Sequence, residues 1–149
     1  MKALSDKSIL YVEDDNIVAI ETEEALRDLG FGQVFSAQTL TRALELVSRF
    51  SFDFAMLDYD LGNGERSTLV GLELEQRGVP TVFLSGYHKS ELEAAVQRFE
   101  FLEKPVLLTC VRRKITDLLR ITSTEIQQAR KEKRAPKDPQ FLSTSKGRS

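Results

Sequence analysis

The feature that most constrains the fold of this sequence is an alternation of short apolar runs with segments of helical periodicity. The clearest apolar runs span residues 9–12, 54–57 and 81–84, and weaker ones lie near 33–37 and 100–102. Runs of this length suit strands that are buried on both faces, and the longer periodic segments suit crossover helices. The sequence therefore predicts an α/β fold with a parallel sheet of five strands.

Five helices are predicted between and after these strands. Gly30 is expected to end the first helix and Gly78 the third, while Ser90 and Glu93 form a capping box at the start of the fourth. The residues at helical spacing are Val18, Thr22, Ala25 and Leu29 in the first helix, Leu40, Ala43, Leu44, Val47 and Phe50 in the second, Leu69 and Leu72 in the third, and Leu108, Val111, Ile115, Leu118 and Leu119 in the last.

The composition is that of a soluble protein with one folded domain. The 149 residues are 41% hydrophobic and 30% charged, and no apolar run approaches the roughly 20 residues that span a bilayer. Asp6, Lys7 and Glu13 lie where a signal peptide needs its apolar stretch, so a cytoplasmic location is expected. The single Cys110 is interpreted as a packing residue in a helix.

Charge divides the chain into a folded domain, residues 1–121, and a basic tail, residues 122–149. The tail carries seven basic and three acidic side chains, so its net charge is +4 and that of the domain is -6. An acidic domain argues against direct binding of nucleic acid. Residues 125–134 are expected to extend the last helix as a solvated segment, and residues 136–149 are expected to be disordered.

Polar side chains follow four of the predicted strands at the point where each strand ends. Glu13 and Asp14 follow the first strand, Asp58 the third, Ser85 the fourth and Lys104 the fifth. Because the carboxyl ends of parallel strands share one edge of a sheet, these side chains should converge on one crevice.

The chemistry of this set points to a divalent cation and a phosphoryl group. Two unit charges about 4 Å apart repel by roughly 4 kcal/mol at an effective dielectric constant near 20, so the three carboxylates need a counter-charge. Oxygen ligands without a nearby His or Cys favour Mg²⁺, with Mn²⁺ as a substitute, and exclude zinc. Asp58 is the best candidate nucleophile because it ends the central strand, and Lys104 and Ser85 can contact the phosphoryl oxygens.

At this point the residues resemble a known family. The segments ILYVEDD, FAMLDYDL, TVFLSGY and FLEKP, in this order, resemble the receiver domain of bacterial response regulators over residues 5–121. The resemblance implies a flavodoxin-like fold with strand order 2-1-3-4-5 and five helices on both faces of the sheet.

The resemblance also implies roles for the acidic residues. Asp58 corresponds to the phosphoacceptor and Asp14 to a direct Mg²⁺ ligand, while Glu13 acts through a bound water. The backbone carbonyl of Asp60 completes the protein's share of the coordination.

Further residues match the switch of the family. Ser85 is expected to bind the phosphoryl group and draw its loop inward, and Lys104 to pair with the same group. The Lys104–Pro105 peptide bond is expected to be cis, and Phe101 corresponds to an aromatic residue that turns inward as the loop moves.

Three features depart from the pattern of the family. The loop after Asp58 has glycine at position 62, where many receivers have proline, and the 85–104 stretch is a few residues short. Asp60 is acidic where a neutral residue is frequent, and with Tyr87 it flanks the expected path of a hydrolytic water. An unusual lifetime of the phosphorylated form is therefore expected.

The function implied is that of a stand-alone receiver, not a turnover enzyme. It would receive a phosphoryl group from a histidine kinase or a histidine phosphotransfer protein and signal to a downstream protein through changed contacts. The tail is too short for an output domain, which needs about 50 residues. A monomer, or a weak phosphorylation-dependent dimer through the 90–121 face, is expected, without membrane binding.

Two alternatives stay open from the sequence. A pseudo-receiver would keep the fold but bind partners without phosphorylation. An aspartyl phosphatase of the haloacid-dehalogenase type would use Asp58 and Asp60 as its DxD motif, but this interpretation leaves Glu13 and Asp14 unexplained. The only histidine, His88, lies in a predicted loop and is interpreted as a solvated residue, not as a phosphodonor.

Overall fold

The computed structural model describes residues 4–120 and Lys131, and within them it contains one five-stranded parallel sheet and four α-helices. The strands lie in the order β2-β1-β3-β4-β5, which confirms the predicted flavodoxin-like α/β fold. Their bounds are Ser8–Val12 (β1), Gln33–Ala37 (β2), Phe54–Asp58 (β3), Thr81–Ser85 (β4) and Glu100–Glu103 (β5). The helices are Asn16–Leu29 (α1), Leu40–Arg49 (α2), Thr68–Gln76 (α3) and Leu108–Leu119 (α4).

The central strands owe their position to apolar side chains on both faces. Every residue of β1, β3 and β4 is buried, whereas β2 and β5, at the two edges, contain exposed positions. The register aligns Val12 with Leu57, Asp58 with Leu84 and Ser85 with Glu103. The polar residues at and just after these strand ends are therefore held at one level along the carboxyl edge of the sheet.

The two faces of the sheet bury separate cores. One core lies under α2 and α3 and includes Leu46, Val70, Leu74 and Phe83, all of which are at least 97% buried. The other lies under α1 and α4; it contains Ile9, Tyr11, Ala19, Leu26, Leu29, Phe54, Met56, Leu84, Val111 and Ile115. Asp58 and Glu13 continue the alternation of β3 and β1 toward the α1/α4 face.

The predicted helix between the fourth and fifth strands is wrong. Within the described residues 86–99, the chain forms only two short 3₁₀ turns, Lys89–Glu91 and Ala94–Val96. The amide of Gln97 donates to the carbonyl of Leu92 at 2.7 Å, so a side chain takes an acceptor that a continuous helix would need.

The capping box predicted for Ser90 and Glu93 is also wrong. The backbone N–H of His88 donates to Glu91 Oε1 at 2.9 Å, so these two residues form the local contact. The carboxylate of Glu93 instead accepts from the hydroxyl of Thr68 at the start of α3. A tertiary contact thus replaces the local one that the spacing suggested.

The first helix is rotated relative to the predicted face. It buries Ala19, Leu26 and Leu29, whereas Val18 is 43% exposed. Gly30 ends α1 as predicted, with φ at 121° and its N–H donating to Arg27 O. The expected extension of the last helix and the tail lie outside the described residues, apart from Lys131. None of the described helices is long and apolar enough to cross a bilayer.

Candidate functional site

The acidic residues of the strand ends meet at the carboxyl edge of the sheet. One carboxylate oxygen each from Glu13, Asp14 and Asp58 lie within 4.8 Å of one another. Glu13 and Asp58 are both 3% exposed, whereas Asp14 is exposed to solvent. This arrangement buries two carboxylates and leaves the third at the entrance, where an ion can approach.

Lys104 supplies positive charge to this cluster. Its Nζ lies 2.9 Å from Asp58 Oδ1 and 3.8 Å from Glu13 Oε1. The backbone N–H of Lys104 donates to Ser85 O at 2.8 Å, so β4 holds the end of β5 in place. The Lys104–Pro105 peptide bond is cis. One ammonium group faces three carboxylates, and the site keeps an excess of negative charge.

The electrostatics of Asp58 reflect this excess. Burial raises its pKa to about 7, the hydrogen bond from Lys104 lowers it, and the charge of Glu13 raises it again. Burial alone would lower the pKa of Lys104, but the hydrogen bond and charge of Asp58 and the charge of Glu13 raise it above its ordinary value. The metal-free site thus disfavours the carboxylate form of Asp58, and a divalent cation would offset this cost.

The donor set fits such a cation. Three carboxylates offer hard oxygen ligands, and partial coordination by side chains with the remaining positions left to water is the arrangement that Mg²⁺ prefers. Neither a His nor a Cys contributes to the cluster of described residues, so the ligand chemistry differs from that of zinc sites.

The orientation of Glu13 is set by its neighbours. Tyr11 Oη donates to Glu13 Oε1 at 3.4 Å, and the backbone N–H of Asp15 donates to Glu13 Oε2 at 3.2 Å. Burial raises the pKa of the Tyr11 phenol, which keeps this group protonated as a donor. Asp15 in turn caps α1 by accepting from the N–H groups of Ile17 and Val18. Asp15 therefore has two roles: its side chain caps α1, and its backbone N–H helps to orient Glu13 in the acidic pocket.

The loop after β3 is anchored by a residue that the sequence interpretation missed. Ser67 is fully buried, and its Oγ donates to the backbone carbonyl of Asp58 at 2.7 Å. Its backbone N–H donates to Tyr59 O at 3.0 Å. Ser67 precedes α3, so its only sequence signal is that of an ordinary helix cap, which is a contact that it does not make.

The glycine at position 62 has a structural reason. Gly62 has φ at 82°, which proline cannot adopt, and a Cβ there would lie 3.3 Å from Asp14 Oδ2. Its N–H donates to Asp60 Oδ1 at 3.0 Å, so the side chain of Asp60 turns into its own loop. This departure from the family pattern thus places the loop backbone beside Asp14.

Ser85 ends β4, the strand that pairs with β3 beside Asp58, and Tyr87 lies two residues further on. Ser85 is 3% exposed, and its Oγ accepts from the N–H of Tyr87 at 3.0 Å. Tyr87 is 56% exposed. Both residues line the same crevice as Glu13, Asp58 and Lys104.

Phe101 lies apart from this crevice. Its ring stacks on Phe83 with the centroids 5.5 Å apart, and it is half-buried against the α2/α3 core. The Nζ of Lys89, in the segment after Ser85, lies 5.6 Å from the centroid of Phe101. The structure therefore connects Phe101 to the Ser85 segment through Lys89, not through the acidic cluster.

His88 lies beside the site but outside the crevice. Its Nδ1 is 3.3 Å from Glu103 Oε1, and both side chains are largely exposed. Its position agrees with a solvated loop residue.

Comparisons with solved structures relate the chain to signalling proteins. SdrG from Sphingomonas melonis Fr1 is 31% identical, with a TM-score of 0.66 over 80% of this chain and 99% of that one. A structure of the BeF3-activated conformation of SdrG, from Pseudomonas melonis Fr1, is 33% identical over the same shares, with a TM-score of 0.64. A CheY-like response regulator receiver domain from Methylobacillus flagellatus is 25% identical, with a TM-score of 0.65 over 75% of this chain and 98% of that one. Neither a scan of protein-family models nor a search of curated proteins found a match.

Proposed function

Because this chain belongs to the receiver-domain family of response regulators, we propose that it is a signalling protein that accepts a phosphoryl group at Asp58. The observation that carries the proposal is the contact of Lys104 Nζ with Asp58 Oδ1 at 2.9 Å, beside three carboxylates whose oxygens lie within 4.8 Å. This arrangement presents a nucleophile, a cation for the phosphoryl oxygens and ligands for a divalent metal in one crevice.

A bound Mg²⁺ would be held directly by the carboxylates of Asp14 and Asp58 and the backbone carbonyl of Asp60, with Glu13 beside them. Mg²⁺, or Mn²⁺ in its place, neutralises charge on the phosphoryl oxygens when it is bound. Glu13 is oriented by Tyr11, as described above, and would contribute through a water. Ser67 holds the backbone carbonyl of Asp58 and anchors the loop that follows β3.

The transfer itself uses groups of this chain. A carboxylate oxygen of Asp58 attacks the phosphorus of a phosphohistidine, the P–N bond breaks, and the imidazole leaves with the electron pair and takes up a proton. Lys104 then pairs with a phosphoryl oxygen, and the Ser85 hydroxyl donates to another. Because Ser85 Oγ accepts from Tyr87 N–H at 3.0 Å, movement of the hydroxyl carries the Tyr87 segment with it.

The output would be a change in protein contacts. The Ser85 segment leads through Lys89 to the ring of Phe101, which offers a route to the 90–121 face. We infer a cytoplasmic histidine kinase or histidine phosphotransfer protein as donor and a downstream protein as target, with the chain monomeric or weakly dimeric through this face. Water attack on the acyl phosphate would restore Asp58 and end the signal, and we infer that the chain acts as a signalling switch and not as a turnover enzyme.

The first test is the intact mass of the full-length protein after incubation with Mg²⁺ and a small acyl phosphate. Wild type should gain one phosphoryl group, and the adduct should be absent in EDTA and in Asp58→Asn. Asp117→Asn, an exposed change on α4, is the matched control and should behave as wild type.

Other outcomes would contradict the proposal. No adduct with either the acyl phosphate or a phosphorylated histidine kinase would support a pseudo-receiver that binds partners without phosphorylation. Continuous release of phosphate from many donors would support an aspartyl phosphatase.

The lifetime of the adduct tests the roles of Asp60 and Tyr87. Both residues line the crevice near Asp58, so they flank the approach of a hydrolytic water. We expect Asp60→Asn to change the decay rate of the adduct measured after removal of the donor, and Tyr87→Phe serves as the comparison. An unchanged decay rate in Asp60→Asn would remove Asp60 from this role.

A further inference from the structure

A buried tyrosine lies beside the acidic cluster. Tyr11 precedes Glu13 by two residues, so the two side chains point to the same face of the sheet, the one covered by α1 and α4. Tyr11 is 1% exposed, and it lines the same crevice as Glu13 and Asp58. An aliphatic side chain would fill such a strand position without a polar atom, whereas the phenol hydroxyl needs a hydrogen-bond partner there.

The hydroxyl of Tyr11 has two partners. It donates to Glu13 Oε1 at 3.4 Å. The side chain of Thr22, which is half-buried on α1 and lines the crevice, forms a second hydrogen bond with the same hydroxyl. Because Tyr11 has one proton to give and Glu13 accepts it, Thr22 is the donor in the second bond. The three side chains thus form a hydrogen-bonded chain that runs from α1 to the carboxylate of Glu13.

Both oxygens of Glu13 are held by donors. Oε1 accepts from Tyr11, and Oε2 accepts from the backbone N–H of Asp15 at 3.2 Å. These distances are at the long end for hydrogen bonds, so neither contact alone fixes the carboxylate, but one bond on each oxygen restricts its rotation. Lys104 Nζ lies 3.8 Å from Oε1. Loss of the Tyr11 hydroxyl would therefore free the carboxylate to turn toward Lys104.

We propose that Tyr11 and Thr22 are positioning residues for the divalent cation of this site. Tyr11 keeps an oxygen of Glu13 within 4.8 Å of those of Asp14 and Asp58, and Thr22 holds the Tyr11 hydroxyl in the direction of Glu13. The proposal rests on the metal-dependent phosphoacceptor role proposed above, and it gives neither residue a part in the transfer itself.

The physical basis of the proposal is preorganisation. A carboxylate that is already oriented loses less rotational freedom when a cation binds, so the cation binds more tightly. The contribution is made when the metal binds, before the phosphoryl group is transferred. Removal of the Tyr11 hydroxyl should therefore raise the Kd of the metal and leave the transfer rate at saturating metal unchanged.

Direct binding of Mg²⁺ to the full-length protein tests the role of Tyr11. The Kd is measured without a phosphodonor, from the shifts of amide signals around the crevice during a titration. Tyr11→Phe removes the hydroxyl and keeps the ring, and we expect it to raise the Kd threefold to tenfold. Tyr59→Phe is the matched control, because Tyr59 is also buried but packs on the opposite face of the sheet; its Kd should equal that of wild type.

A pair of substitutions tests the bond from α1. Thr22→Val removes the hydroxyl and nearly preserves the shape of the side chain, so it should raise the Kd about twofold. Thr22→Ser keeps the hydroxyl and should bind Mg²⁺ as wild type does. A role of Thr22 in packing alone would give the opposite order, since serine lacks the methyl group.

A double-mutant cycle shows whether Tyr11 acts through Glu13. In a Glu13→Ala background, Tyr11→Phe should change the Kd less than twofold, because the group that it positions is absent. At saturating Mg²⁺, Tyr11→Phe should form the adduct with a small acyl phosphate within twofold of the wild-type rate. Urea unfolding in EDTA establishes that each variant is folded.

Three results would overturn the proposal. The first is an unchanged or lower Kd in Tyr11→Phe. The second is the same rise of the Kd in the Glu13→Ala background, which would mean that the hydroxyl acts elsewhere. The third is a large loss of rate at saturating Mg²⁺, which would place Tyr11 in the transfer step.

Failure of this proposal can be distinguished from failure of the phosphoacceptor role. A raised Kd in Tyr11→Phe, in a protein that takes no phosphoryl group, would retain the positioning role and reject the transfer. An adduct at Asp58 with equal Kd in wild type and Tyr11→Phe would do the reverse. An absence of Mg²⁺ binding to wild type would overturn both.

Discussion

The two faces of the sheet differ in how completely they are covered. Under α2 and α3, Phe83 is fully buried between the edges of Tyr59 and Phe99, and a Cβ on Gly71 would lie only 2.4 Å from Phe83 Cζ. Under α1 and α4, a groove of about 1210 Å³ reaches from solvent to Asp58. The first face is packed for stability, and the second leaves an open path from solvent toward the buried carboxylate of Asp58.

The physical reason for the difference lies in the charges of the site. Glu13 and Asp58 end their strands toward the α1/α4 face, and close helix packing there would remove them further from water. An uncompensated buried carboxylate is costly, whereas the opposite face buries aromatic and aliphatic side chains at no such cost. The comparison predicts that substitutions on the two faces have different consequences.

The largest expected effect contrasts two leucines. Leu74 on α3 is fully buried, so Leu74→Ala should lower the free energy of unfolding by about 2–5 kcal/mol. Leu108 on α4 is 42% exposed, so Leu108→Ala should cost less than about 1 kcal/mol. Urea unfolding of both variants beside wild type measures the difference; equal losses would show that the two faces are packed alike.

The next effect is the pH dependence of stability without metal. The pKa of Asp58 is about 7 in the folded protein, against 3.8 for an ordinary aspartate, so the folded state binds more protons than the unfolded state between these values. The free energy of unfolding should therefore fall as pH rises through this window, by roughly 2 kcal/mol between pH 5 and pH 8. Urea unfolding in EDTA at the two pH values measures it.

The variant Asp58→Asn separates this contribution from the rest of the protein. It should remove most of the decrease in stability, and Mg²⁺ should restore stability to wild type at pH 8 but not to the variant. The control Asp117→Asn should keep the slope of wild type. The same slope in Asp58→Asn would mean that another group titrates.

The smallest expected effect is a change in the free energy of unfolding at Tyr59, on the face covered by α2 and α3. Tyr59 is 2% exposed, and its hydroxyl has no hydrogen-bond partner among the described residues. Tyr59→Phe should therefore raise the free energy of unfolding by about 1 kcal/mol, whereas Tyr87→Phe, at an exposed position, should leave it unchanged. Thermal and urea unfolding measure this gain. A loss in Tyr59→Phe would reveal a partner for the hydroxyl in solution.

Much of the fold could be predicted from the sequence because its three central strands are buried on both faces. Such strands are continuous apolar runs, and the residue after each run necessarily lies at the carboxyl edge of a parallel sheet. Glu13, Asp14 and Asp58 were found in this way, and Lys104 by the shorter run of the edge strand β5. The structure places oxygens of the three carboxylates within 4.8 Å of one another and Lys104 Nζ 2.9 Å from Asp58 Oδ1. Ser85 lies in the same crevice for the same reason.

Other features depend on contacts between residues that are distant along the chain. Ser67 holds the carbonyl of Asp58 from nine residues away, and Glu93 accepts from Thr68 twenty-five residues earlier, where local spacing had suggested a helix cap. The rotation of α1 that exposes Val18 follows from the packing of Ala19 and Leu26 on the sheet. Local sequence patterns cannot specify such contacts, because the same polar or apolar residue can pair with several different partners in the folded chain.

The sequence by itself therefore determined where the strands lie along the chain and the chemistry at their ends, since periodicity and strand burial are local properties; the strand order followed from the resemblance to the receiver family. Only the tertiary structure decided that residues 86–99 form 3₁₀ turns, that Ser67 anchors the site and that a groove separates α1 from α4. These outcomes are set by competition among side chains for the same hydrogen-bond acceptors and the same apolar surface, and this competition arises only when the chain has folded.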